Sequence, residues 1–139
     1  MIEQGFHIGN RNWWVMVFYC PANEQDLRKV KGALMASGYP ESAINKAIDN
    51  LRGWNGGYTL SDFGNRTSVL VIGKATDAGE MFDSIVHEMK HLAEHVGEYY
   101  RVNPREELSA YLQGDVGRQM WPAAALVLCP QCNAHYGFC

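Results

Sequence analysis

Thr76-Asp77-Ala78-Gly79-Glu80-Met81-Phe82-Asp83-Ser84-Ile85-Val86-His87-Glu88-Met89-Lys90-His91-Leu92-Ala93-Glu94-His95-Val96-Gly97 is the stretch that decides the fold. Asp77 can cap a helix, and Glu80 stands three residues on, the pattern of a capping box. Phe82, Ile85, Val86, Met89, Leu92, Ala93 and Val96 recur at helical spacing, and Gly97 suits the position just past a helix end. The pattern predicts a helix over about residues 78–96. Its apolar stripe must face a core, and His87 and His91 lie beside that stripe, on the wall of a groove.

The pentapeptide His87-Glu88-Met89-Lys90-His91 has the form H-E-x-x-H. A helix advances roughly 100° per residue, so His91 lies about 40° around from His87 and one turn along. Both imidazoles can therefore reach one metal ion. Glu88 is too far round to be a third ligand, but close enough to act as base on a water held by that metal. These residues in this order point to zinc and metal-assisted hydrolysis, with His87 and His91 as ligands and Glu88 as catalytic base.

A catalytic zinc usually has three protein ligands and one open position. A second helix is expected from Asn103 as N-cap and Pro104 at N1. Glu106 would then fold back to the cap, leaving Glu107 free to serve as third metal ligand. Glu107 reads alternatively as a solvated glutamate favoured by the helix dipole.

The pair H-E-x-x-H and, on the next helix, Glu107-Leu108-Ser109-Ala110 (E-x-x-A) resembles the gluzincin group of zinc metallopeptidases. More closely, residues 68–114 resemble small bacterial and phage-encoded zincin-like proteins, where an apolar strand such as Ser68–Lys74 leads into the active-site helix. The resemblance covers roughly a third of the chain, and its H-E-x-x-H part is the specific one. It implies Zn2+ held by His87, His91 and Glu107, and a peptide or protein substrate. Many gluzincins carry an aspartate four residues after the ligand glutamate; here that place is Tyr111. Its hydroxyl could orient a ligand or contact the substrate oxyanion, and it reads equally as packing. The metzincin pattern does not apply, because position 97 is glycine.

His95 allows a second register, His91 with His95, but that register puts Leu92 where the base belongs. A second-shell, substrate-side or surface place suits His95 better. Tyr99 and Tyr100, between the two helices, are candidates to help polarise a carbonyl, or ordinary packing aromatics. The expectation is a zinc-dependent peptidase. The alternatives are a zincin fold used for binding or regulation without turnover, and a metal-dependent hydrolase of a non-peptide amide.

The rest of the chain reads as scaffold. Its 139 residues suit a single domain, 1–139, and 47% hydrophobic against 19% charged residues say folded. A net charge of −3 without a basic patch makes nucleic acid an unexpected partner. No signal peptide or membrane-length apolar run is found, so a cytoplasmic location is expected; oligomeric state is open. Residues 13–19 read as a buried strand, 24–37 and 41–51 as helices, and 58–63 with 67–74 as a hairpin. A short further helix is possible after Pro122. The order β-α-α-β-β-α-α implies an α+β domain: a minimal zincin-like fold, with a small sheet, the H-E-x-x-H helix and a glutamate-bearing helix after it. Cys129, Cys132, His135 and Cys139 could form a second zinc site. The alternative is free thiols in a reduced compartment, and a disulfide framework is not expected.

Overall fold

A computed structural model describes residues 1–9, 11–53 and 56–132. A four-stranded sheet is built from β1 (Ile2–His7), β2 (Trp14–Tyr19), β3 (Gly57–Asp62) and β4 (Thr67–Ile72). The spatial order is β1-β2-β4-β3, with β2 and β4 parallel and the outer pairs antiparallel. The helices that pack on the sheet are α1 (Glu24–Ala36), α2 (Glu41–Gly53), α3 (Ala78–Tyr99) and α4 (Glu107–Leu128), and residues 130–132, the last described, are again helical.

The mixed α and β content matches expectation, but the layering differs. Period-2 alternation gives the central strands two apolar faces. Val15, Val17, Tyr19, Leu70 and Ile72 join Ile85, Leu92, Val96, Val116 and Met120 in a core under α3 and α4. Phe18, Val69 and Val71 join Leu27, Val30, Leu34, Ile44 and Ile48 in a second core under α1 and α2. Helices thus cover both faces, as continuous apolar runs such as Trp13–Tyr19 require.

Four local expectations change. Strand β1 was not foreseen: Ile2-Glu3-Gln4-Gly5-Phe6-His7 alternates only weakly, and it earns its place by pairing residue for residue with β2. Gly97 does not end α3. The helix runs on to Tyr99, and Arg101 takes the left-handed C′ position at φ 57°. The amides of Arg101 and Val102 bond the carbonyls of Glu98 and Gly97, a Schellman closure with a non-glycine residue at its pivot. Helix α4 starts at Glu107, not Pro104. Its N-cap is Glu106, and Asn103 instead organises the preceding turn by accepting from the Arg105 amide. Pro122 lies inside α4 and starts no new helix. Pro122 and Arg118, whose carbonyl loses its partner, are both exposed, so water can satisfy the freed oxygen.

Candidate metal and acid–base site

Helix α3 begins as expected, with Asp77 Oδ1 accepting from the Glu80 amide at 2.9 Å and Glu80 accepting from the Thr76 amide at 2.6 Å. Its two flanks do different work. Met89, Ala93 and Gly97 follow one another every fourth residue and face α4, where Met89 reaches Gly117 and Gly97 faces Leu112. The row His87, His91, His95 is displaced from them by two residues, about 160° around the axis, so it lies on the opposite flank.

On that flank the Nε2 atoms of His87 and His91 are 3.1 Å apart. Two imidazole nitrogens this close must share a proton or a cation. Nitrogens that bind one zinc tetrahedrally at ~2.0–2.1 Å stand roughly 3.3–3.4 Å apart, so the spacing of the pair is close to that of two such ligands. Both histidines are exposed, which leaves the metal position open to solvent. Glu94 Oε2 lies 3.8 Å from His91 Nδ1, the side where a ligand histidine is commonly oriented by a carboxylate. A hydrogen bond from Lys90 lowers the Glu94 pKa and keeps that group ionised.

Glu88 is buried, with only 3% of its surface exposed. The Thr59 hydroxyl donates to its Oε2 at 2.7 Å. Its Oε1 lies above Gly57, where a Cβ would crowd the carboxylate and collide with the Val71 carbonyl. Among the described residues Oε1 has no partner, yet it is not sealed from solvent. One oxygen is thus anchored and the other free to meet water, as a general base needs.

His95 is tied to the same strand. Its Nδ1 is 2.7 Å from Ser61 Oγ, which lies 2.7 Å from Ser68 Oγ, which accepts from Trp13 Nε1 at 2.9 Å. Burial, then the nearby His91, lowers the His95 pKa. Gly57 and Thr59 meet Glu88 while Ser61 meets His95, so β3 and α3 run side by side in one direction. Strand β3 is also a sheet edge. Thr59, Ser61, Ser68, Trp13 and Glu94 were missed at the level of sequence. The available signal was Gly57-Tyr58-Thr59-Leu60-Ser61, a strand with small or polar residues at every second place.

The structure brings His87 and His91 together and sets the neighbouring Glu88 against β3, but it does not bring Glu107 or Tyr111 to them. Glu107 opens the helix that packs on the far flank of α3. Leu112 is level with Gly97, so Glu107 lies still further toward the end of α3 away from His87. Among the described residues no three of His, Cys, Asp and Glu converge as a metal site. Glu106 does turn back as expected, accepting from Asn103 Nδ2 at 3.2 Å. Tyr111 is 70% exposed and lines a recess with Ile8, Gly9, Arg11 and Asp115. Tyr99 packs edge-on against Trp13, and Tyr100 lies under the Arg11 guanidinium; both are packing aromatics.

The cysteines divide. Cys20, fully buried at the end of β2, is disulfide-bonded, against the expectation of reduced thiols throughout. Cys129 and Cys132 carry free thiols. The Cys132 amide donates to Cys129 Sγ at 3.4 Å and lowers the Cys129 pKa. His135 and Cys139, the other candidate ligands of a second zinc site, lie outside the described residues. No described helix is long and apolar enough to cross a membrane.

The fold and the site define a mixed α/β domain with a His-Glu-His helix beside a free sheet edge. No family model, curated protein or solved structure matches the chain.

Proposed function

We propose that this chain is a minimal zincin-like, zinc-dependent peptidase. One observation carries the reading: His87 and His91 present their Nε2 atoms 3.1 Å apart, one residue from a buried, half-anchored Glu88. His87 and His91 would hold the ion, and a donor beyond the converging described residues would complete the set. When bound, zinc supplies Lewis acidity toward a carbonyl and acidifies water. Glu88 Oε1 takes the proton from the attacking water and passes it to the leaving amine. Thr59 fixes the rotamer that aims Oε1 at the groove. The edge of β3 offers unpaired main-chain groups to an extended peptide.

Metal analysis after remetallation should find about one zinc per chain, lost in His91→Ala. Glu88→Gln should keep metal and fold while hydrolysis of a peptide library falls by about 10²–10⁴-fold, since an amide cannot accept the proton. Zinc binding absent from the parent protein sinks the reading. Zinc retained with equal turnover in Glu88→Gln removes Glu88 from its role. Glu107→Gln should leave zinc affinity unchanged, as its place on the far flank requires; a sharp loss would restore Glu107 as ligand and require α4 to shift.

The incomplete ligand set favours one alternative, a metal-binding domain without turnover. It requires zinc uptake by the parent and no cleavage of any library member.

A further inference from the structure

Trp13, Ser68, Ser61 and His95 form one hydrogen-bonded chain from the core to the groove wall. Its direction can be deduced. The indole Nε1–H only donates, so Ser68 Oγ must accept from it. Ser68 is 1% exposed, and its own hydroxyl proton needs a protein acceptor. Among the described residues that acceptor is Ser61 Oγ, 2.7 Å away. Ser61 must then send its proton onward to His95 Nδ1. The reverse order would aim both Trp13 and Ser61 at Ser68 and strand the Ser68 proton in a dry core. Nδ1 is therefore an acceptor, and the ring proton of neutral His95 sits on Nε2.

The His95 ring is half-buried, with Phe63 beside it at 6.0 Å between ring centroids. Nε2 has no partner among the described residues and is not sealed from solvent. His95 lies about 6 Å along α3 from His91, at 1.5 Å rise per residue. An extended peptide repeats its orientation every ~6.6–6.8 Å, two residues. From the middle of the His87–His91 pair His95 is about 9 Å along, between two and three residues of an extended chain, so a peptide on the β3 edge with its scissile carbonyl at that pair brings a neighbouring main-chain carbonyl within reach of the His95 side chain.

We propose that His95 is a substrate-positioning residue, a neutral Nε2–H donor to a main-chain carbonyl of an extended peptide, two or three residues from the scissile bond. This role rests on the peptidase reading; the tautomer does not. It also disqualifies Nε2 of neutral His95 as a zinc ligand.

Long-range ¹⁵N–¹H correlation spectra of the metal-free protein read the tautomer directly. His95 should be Nε2–H in the parent, and Ser68→Ala should mix the two forms. On zinc-loaded protein with a peptide substrate, His95→Leu should raise KM by about tenfold, one hydrogen bond's worth, with little change in kcat. His95→Gln, which keeps an N–H near the place of Nε2, should recover part of that loss. An Nδ1–H parent that binds zinc and cleaves peptide overturns the inference alone. Equal KM in parent and both variants overturns it as well. An Nε2–H parent that binds no zinc and cleaves nothing overturns the peptidase reading and the substrate role with it.

Discussion

Strand β3 has two faces that follow opposite rules. Tyr58 and Leu60 turn toward α1 and α2 and pack with Val69, Val71 and Phe18. Gly57, Thr59 and Ser61 turn toward α3 and meet Glu88 and His95. The first face is built for cohesion. The second places two hydroxyls against a carboxylate and an imidazole of α3, where a sheet and helix would ordinarily bury hydrocarbon. Buried polar groups contribute little net stability even when paired, and cost about 1–3 kcal/mol when a partner is lost. Their gathering where β3 meets α3 is what the proposed peptidase role would use.

The largest effect should come from the cohesive side. Leu34 is fully buried on α1 against that core. Leu34→Ala should cost about 2–5 kcal/mol in denaturant unfolding, with the transfer and cavity terms adding. Zinc affinity per folded molecule should not change, because the sheet separates this core from the histidines. A weakened zinc site at full folding would erase the division between the faces.

The polar face should respond in a different pattern. Thr59→Val removes the donor to Glu88 and leaves a buried carboxylate oxygen unpaired, at a cost of about 1–3 kcal/mol. Adding Glu88→Leu removes the other partner. The double variant should regain most of that loss, or exceed the parent in stability, while hydrolysis is abolished. Chemical unfolding of the parent, both single variants and the double closes the cycle. Additive losses would show no coupling between Thr59 and Glu88, so that each supports the fold independently of their hydrogen bond.

The same contrast explains what could be read from sequence. Helix α3 was legible almost to the residue, because the Asp77 cap, the apolar spacing and the H-E-x-x-H pair all lie within one local segment. The other helices, β2, β3 and β4 were legible from apolar runs and from the glycines and prolines that bracket them, though the start of α4 was not. Strand β1 was not, because Gln4 and Gly5 interrupt its alternation and its evidence is the partner strand. The layering was not, because which face a helix covers depends on crossovers. The failure over Glu107 is the instructive one. Helix spacing tells which residues share a flank, but the flank that a following helix occupies is set by packing across the helix pair, here at Gly117, where a Cβ would crowd the Met89 side chain at 3.0 Å. The hydroxyl chain was hidden for the same reason: Trp13, Ser61, Ser68 and His95 are neighbours only once the sheet is assembled.

The smallest effect has the opposite sign and tests the cohesive flank of α3. Gly97 sits in the last turn of α3, buried against α4 and the returning chain at Val102. Its φ is not left-handed. A Cβ there would meet Leu112 at 3.7 Å and Val102 at 3.8 Å, ordinary contact distances. Nothing in this geometry demands glycine. Gly97→Ala should therefore stabilise the protein by about 0.5–1 kcal/mol, through lower chain entropy in the unfolded state and better helix propensity. The gain should appear as a higher unfolding midpoint at unchanged m-value, with zinc affinity untouched on the other flank. Destabilisation instead would mean that α3 and α4 pack more tightly than the 3.7 Å clearance allows. The helix pair, rather than the sheet, would then limit how the groove is held.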